Sequence, residues 1–389
     1  VQGVVYTAAT LKITDIRTYH AHDGSRNNVF LHVLTDEGIT GVGEPYSIGP
    51  DEGILGTIEN MKGWFIGQDP SRIEWLTRRA KNTMRFPLGQ VAWSALSGIE
   101  HALWDIAGKA AGVPVYRLLG GAARQKVRVY HGIHGDTPQG CADDALARKA
   151  EGYDAFKMSP YGPGWSEKPW RHVVRHAAER VEAVRKAVGD GPEIGVDVHA
   201  TLREPARARE LIEAMAPYRL MFVEEPVRPD AVESTARLRR ETRVPIATGE
   251  NLYGIARFAE LLDAGGADII QPDVLCCGGL LELKKICAIA EAHYVTVAPH
   301  NPLGLLSTAL SVHLAASINN FLILEFHSEH RTGKAAFVDE PWVPRNGYFE
   351  LPTKPGIGME LDLKAIRAHP AKHWNRGFPK HADGSPAFI

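Results

Sequence analysis

The sequence predicts an α/β protein: a closed parallel barrel preceded by a smaller α+β domain. Three observations lead there. The chain opens with strand-like runs and then turns helical. It next settles into eight short apolar runs, each ending in polar or charged residues and each followed by a helical stretch, at a spacing of roughly 25 residues. Finally, no Gly-rich dinucleotide fingerprint follows the first of these runs, so no doubly wound sheet is required. A chain of 389 residues accommodates one large and one smaller domain.

The opening runs "KITDIRTYHA" and "NVFLHVLTDEGITGVGE" are β-branched and aromatic, with "DEG" as a hairpin turn. From Ile54 to Leu119 the pattern is helical. "SALSGIEHALWDIAGKAAG" carries apolar residues at i, i+3 and i+4 and a glycine stop. Residues 1–122 are therefore expected to form the α+β domain. The barrel is expected over 123–330, from "VRVYHG", "AFKMS", "IGVDVH", "MFVEEP", "PIATGE", "DIIQPD", "VTVAPH" and "FLILEF", with helices such as "PWRHVVRHAAERVEAVRKAVG" between them. Residues 331–389, rich in Pro and Gly, are expected to return to the N-terminal domain.

A net charge of −2 argues against an electrostatic nucleic-acid binder or a membrane-surface protein. No window approaches the roughly 20 apolar residues of a membrane helix. The N-terminal stretch lacks the basic start and apolar core of a leader. The four cysteines, Cys141, Cys276, Cys277 and Cys287, have no CxxC spacing and read as buried thiols in a reducing cytoplasm.

Reactive groups in parallel barrels sit at the C-terminal ends of strands. Here those ends carry Lys157 on the second strand, Asp197 and His199 on the third, Glu224-Glu225 on the fourth, Glu250 on the fifth, Asp273 on the sixth, His300 on the seventh and Glu325 on the eighth. If "GVDVHAT" is a strand, Asp197 and His199 point to the same side. Each residue alone has a bland reading, as a helix cap, a surface ion pair or a loop bystander. The regular register favours a site, because so many ionisable groups at one mouth repel unless a cation or substrate compensates them. Asp197, Glu224 and Glu250, from consecutive strands, suit a hard oxygen-ligated Mg²⁺. Alternation does not decide between Glu224 and Glu225, because their strand is apolar on both faces.

In "SALSGIEHALWDIAGKAAGVPVYRLLGG", "VDVH", "FVEEP", "TGE", "QPD" and "APHNPLG", taken in order, the chain resembles the mandelate-racemase-like branch of the enolase superfamily over nearly its whole length. The resemblance implies a modified (β/α)₇β TIM-type barrel under an α+β capping domain that the C-terminal segment completes. Loops near His20–Asn28 and Tyr46–Glu52 would close over the mouth. It assigns the metal ligand of the E-E-P motif to Glu224. It also implies abstraction of the proton α to a carboxylate, with Mg²⁺ held by Asp197, Glu224 and Glu250 taking up the developing charge, and a homo-oligomer.

The resemblance makes His300 the base, paired with Asp273. Ser159 replaces the second-strand Lys of racemases, and Asp273 stands where lactonising enzymes carry a Lys. His199 instead matches the general acid of galactonate-dehydratase-like acid-sugar dehydratases. Lys157 either neutralises the substrate carboxylate or pairs with a metal ligand, and Glu325 would hydrogen-bond the substrate. His131, His134, His327, Tyr46 and Arg85 are candidate substrate contacts. The expected function is Mg²⁺-dependent dehydration of a small sugar acid, an aldonate such as galactonate, to a 2-keto-3-deoxy acid. The rivals are an epimerase or cycloisomerase using His199 and His300, and a silent binding protein, which would lack a ligand or base.

Overall fold

The computed structural model describes residues 11–387 apart from 48 and 374–376. The N-terminal ten residues, on which the expectation about a leader falls, and Ile48 of the expected second capping loop lie outside the described residues.

Strands β1 (Ile13–His22), β2 (Asn27–Thr35) and β3 (Thr40–Gly43) form an antiparallel meander, with the "DEG" turn between β2 and β3. Ile13, Ile16, Leu31 and Val33 on one face bury against Ile54 and Ile58 of α1 (Asp51–Phe65), Leu76 of α2 (Ile73–Thr83) and Leu96, Ile99 and Leu103 of α3 (Gln90–Ala111). Helix α3 lies so close to β3 that a Cβ on Gly41 or Gly43 would collide with the Ala102 or Gly98 carbonyl oxygen. The helix stops at Gly112, whose φ of 68° is the left-handed conformation glycine adopts without strain.

Helix α4 (Val115–Leu118) leads into the barrel. Its strands are β4 (Lys126–Gly132), β5 (Ala155–Met158), β6 (Glu193–Asp197), β7 (Phe222–Glu224), β8 (Ile246–Thr248), β9 (Ile269–Ile270), β10 (Thr296–Val297) and β11 (Leu324–Phe326). Seven helices follow the first seven strands: α5 (Pro138–Ala150), α6 (Trp170–Val188), α7 (Pro205–Met215), α8 (Val232–Glu241), α9 (Gly254–Asp263), α10 (Leu280–Ala292) and α11 (Leu305–Ser317). Directly after β11 come short 3₁₀ turns in place of an eighth barrel helix, so the barrel is of the (β/α)₇β kind. The strands run parallel in the order β10-β9-β8-β7-β6-β5-β4-β11. A parallel bridge between Val297 and Phe321 closes the circle.

Side-chain alternation sets what reaches the mouth. Tyr130, Ala155, Phe222, Ala247, Ile269, Ala298 and Ile323 fill the barrel interior. Val129, Phe156, Val196, Val223 and Leu324 point outward to the helices. Lys157, Asp197, Glu224 and Glu325 fall on the inward parity; His131 and Glu225 fall on the outward one.

Strand β12 (Tyr348–Glu350) pairs antiparallel with the start of β4, and α12 (Leu363–Ala368) follows. The chain then meets β1 and β2. His22 N donates to His369 O at 2.9 Å, and Asn27 and Lys372 exchange hydrogen bonds of 2.8 and 3.0 Å. Further on, the tail crosses to the barrel, where Ser166 Oγ donates to Lys380 O at 2.8 Å. Among the described residues no helix is long and apolar enough to cross a membrane.

Candidate active site

At the barrel mouth Lys157 is a buried cation among carboxylates. Its Nζ stands 2.6 Å from Glu325 Oε1, 2.9 Å from Glu224 Oε1 and 3.5 Å from Asp197 Oδ2. Burial works against the ammonium, but Glu224 and Glu325 outweigh it and hold its pKa well above the usual lysine range. In return, burial raises Asp197 and Glu325 while Lys157 more than reverses the effect, so both carboxyls are held low. Glu224 is pushed up, first by burial and then by Asp197. Both readings of Lys157 remain compatible with this contact set, since it touches two candidate metal ligands and Glu325.

On the opposite side, His300 Nδ1 stands 2.8 Å from Asp273 Oδ2. Both lie past the ends of their short strands, where a parallel bridge holds 273 against 300. Leu275 N donates to Asp273 Oδ1 at 2.7 Å, so both carboxylate oxygens are engaged. His300 Nε2 faces Glu250 Oε2 at 3.3 Å. Burial pulls the imidazole pKa down, but Glu250 and Asp273 overcome this and raise it to about 10. The Asp273 contact fixes the proton on Nδ1 and turns Nε2 to the mouth.

Strand β6 ends at Asp197, which corrects the expectation that Asp197 and His199 share a strand face. His199 occupies a left-handed turn, φ 59°, followed by Ala200 at 53°. The turn itself brings them together: His199 N donates to Asp197 Oδ1 at 2.7 Å and its ring Nδ1 lies 3.5 Å from Oδ2. The contact of the ring with the Asp197 carboxylate raises the His199 pKa to about 9, against the opposing effect of burial. Non-glycine residues held at positive φ concentrate at functional sites.

Several residues of the mouth's supporting layer carry no strong sequence signal. Gln271 Nε2 donates to Glu224 Oε2 at 2.8 Å. Outward-turned Glu225 accepts from Thr248 Oγ1, Gly249 N and Asn251 Nδ2, and the same Asn251 amide reaches Glu250 Oε1 at 3.4 Å. These neutral amides orient the carboxylates without adding charge. The "QPD" and "TGEN" stretches contain them, but nothing in an isolated amide distinguishes a support from a surface residue.

The softer candidates divide. His327 reaches Glu325 Oε1 at 2.9 Å, and its ring occupies the space a side chain on Gly132 would take. His134 is exposed and stacks on His327 with centroids 6.3 Å apart. Tyr46 is inserted beside Asp273 and Glu250; burial and then Asp273 push its phenol well up, and its N–H donates to Leu275 O. His131 does not face the mouth. It points outward, with Nε2 2.7 Å from Ser328 Oγ and its ring against Tyr153, because 131 has the outward parity of Val129. Arg85 is exposed after α2, over the Phe86 ring, and makes no hydrogen bond or ion pair with the mouth residues.

The donor set suits a hard divalent cation: three carboxylates from neighbouring strands, with Glu250 Oε2 buried and lacking a hydrogen-bond partner. As placed, no three His, Cys, Asp or Glu side chains among the described residues are gathered at ligating distance. Lys157 draws Glu224 and Asp197 to itself, and Glu250 leans to His300. Metal ligation by these residues therefore requires their carboxylates to turn within the mouth.

The family profile described as the mandelate racemase / muconate lactonizing enzyme N-terminal domain matches residues 6–120, and the enolase C-terminal domain-like profile matches 140–365. The chain belongs to the enolase superfamily. A D-galactonate dehydratase of Ralstonia pickettii (strain 12J) is 37% identical, covering 97% of this chain and 100% of that protein. A D-galactonate dehydratase of Xanthomonas oryzae pv. oryzae (strain PXO99A) is 35% identical with the same coverage. The solved structure of an enolase from Agrobacterium radiobacter, a galactarate dehydratase candidate holding Na and L-malate, superposes with a TM-score of 0.92. It is 40% identical and covers 97% of this chain and 100% of its own. With full-length relatives of this kind, this enolase-superfamily protein is a hydro-lyase.

Proposed function

We propose that this dehydratase removes water from an aldonate, galactonate or a stereoisomer of it, to give a 2-keto-3-deoxy acid. The observation that carries the reading is the pairing of two histidines with separate carboxylates at one mouth: His300 with Asp273 at 2.8 Å, and His199 with Asp197 at 3.5 Å. Elimination needs a base for the C2 proton and an acid for the C3 hydroxyl, and this arrangement offers both.

Asp197, Glu224 and Glu250 would hold Mg²⁺, which when bound stabilises negative charge at the carboxylate end of the substrate. Lys157 and Glu325 flank that end, as a cation and a hydrogen-bond acceptor. His300 takes the C2 proton on Nε2, while Asp273 keeps Nδ1 protonated and stabilises the imidazolium. His300 must start neutral, so the influence of Glu250 that raises its pKa has to be offset by a cation on that carboxylate. His199 donates its proton to the departing C3 oxygen, which leaves as water. The C2–C3 enol then tautomerises to the 2-keto acid.

The test is to incubate the purified protein with Mg²⁺ and a panel of aldonates and to assay 2-keto acid. Product from at least one aldonate is expected. A folded, metal-loaded protein that converts none of them overturns the reading. Solvent deuterium at C2 without water loss would indicate epimerisation instead.

A further inference from the structure

Beside His199 lies a cavity of about 360 Å³ lined by Ser159, Tyr161, Trp165, His199, Thr201 and Pro379. No step of the proposed reaction uses it. Its wall is built rather than incidental. Tyr161 and Trp165 stack with ring centroids 4.1 Å apart and planes 14° apart. Tyr161 OH bonds Thr201 Oγ1 at 2.8 Å, and Thr201 Oγ1 donates to Val198 O at 2.8 Å, which ties the aromatic pair to the turn holding His199. The far side is the C-terminal tail, pinned where Ser166 Oγ donates to Lys380 O and His381 Nδ1 meets Ser166 O at 3.2 Å.

We propose that this cavity is the subsite for the distal polyol end of the substrate, carbons 4 to 6 of a six-carbon aldonate. The inference rests on the dehydratase reading above and adds chain length to it. If C2 faces His300 and the C3 hydroxyl faces His199, the next carbons of a linear acid run past His199 into this space. The lining suits them: an aromatic face for the C–H side of the chain, and Ser159 and Thr201 hydroxyls beside it. Ser159 matters for its size as well, since a long side chain at 159 would fill the cavity from the β5 end.

The experiment compares kcat/KM for a six-carbon aldonate, galactonate, with that for a four-carbon one, threonate, in the wild type, Trp165→Ala, Trp165→Phe and Ser159→Met. Wild type is expected to favour six carbons. Trp165→Ala should lower the six-to-four preference at least about tenfold, mainly through KM, because the lost contact is equal in ground and transition states. Trp165→Phe should restore most of the preference, and Ser159→Met, which puts a long side chain into the cavity, should lower it as Trp165→Ala does. Equal losses on both lengths, or an unchanged preference, overturn the subsite. If no aldonate is turned over, the dehydratase reading falls separately. The same preference is then read as a ratio of Kd values by calorimetry, where an unchanged ratio in Trp165→Ala again overturns the proposal.

Discussion

Two regions of this molecule bury acids and histidines, and they satisfy them differently. At the mouth, ionisable side chains pair with one another: Lys157 with Glu224 and Glu325, His300 with Asp273. At the joint between α3 and the barrel, Glu100, His101 and His313 pair mainly with backbone. Glu100 accepts from Leu280 N, Leu281 N and Trp104 Nε1, capping α10. His101 lies between the Glu44 and Val274 carbonyls. His313 accepts from Tyr116 N on Nδ1 and reaches Ile357 O with Nε2. Backbone partners cannot move or change charge, so the joint is a lock. Side-chain partners can rotate, exchange protons and take up a cation, so the mouth can do chemistry. Burial alone does not separate the two; the identity of the partner does.

The sharpest way to break this contrast is His300→Asn, which keeps the Asp273 contact possible but removes the proposed base. We expect a loss of about 10³-fold in kcat, from the usual 10²–10⁴ range of a general base, with no C2 deuterium exchange and an unchanged melting temperature. Retained turnover would remove His300 from the role.

At the joint, Glu100→Ala should instead cost stability. Three N–H donors lose their acceptor, at roughly 1 kcal/mol or more each, for a loss of about 3 kcal/mol in denaturant unfolding. Mg²⁺ affinity should not change. A weakened metal site in this variant would show that the joint and mouth are not separate.

His313 gives the joint a pH signature. Burial lowers its pKa to about 4, against 6.5 for the ordinary imidazole. Because the folded-state pKa is depressed, its contribution is fully present above 6.5 and is lost as pH falls from 6.5 towards 4. The span amounts to at most about 3 kcal/mol. Protonation would also remove the acceptor for Tyr116 N. Unfolding of wild type and His313→Leu across pH 4 to 7 should show their stability difference narrowing as the solution is acidified; a constant difference would contradict the assignment.

The smallest expected effect sharpens the mouth. Gln271→Leu removes the donor to Glu224 and should weaken Mg²⁺ binding by about 10- to 100-fold, the usual effect of losing a group that orients a metal ligand. Calorimetric titration of the folded variant with Mg²⁺ checks it. Unchanged affinity would mean that Lys157 alone orients Glu224.

Much of the architecture is legible in the residues. All eight apolar runs become barrel strands, "DEG" becomes a turn and Gly112 ends α3. Among the ionisable residues at those run ends, Lys157, Asp197, Glu224, Asp273, His300 and Glu325 meet at the mouth, because parallel strands deliver all their C-terminal ends to one side. Less legible are the supports. Gln271 and Asn251 carry no charge to mark them, and Tyr161 and Trp165 sit in a loop without periodicity.

The sequence by itself determined the element types, their order and the charged set that the barrel gathers, since these follow from local periodicity and chain direction. Only the tertiary structure decided which side chains face the mouth. Barrel closure sets the parity that turns Glu224 in while Glu225 and His131 turn out. A left-handed turn, rather than strand alternation, returns His199 to Asp197, and a tail from the chain's other end walls the space beside it. Those outcomes depend on contacts between segments far apart in the chain, which no local pattern encodes.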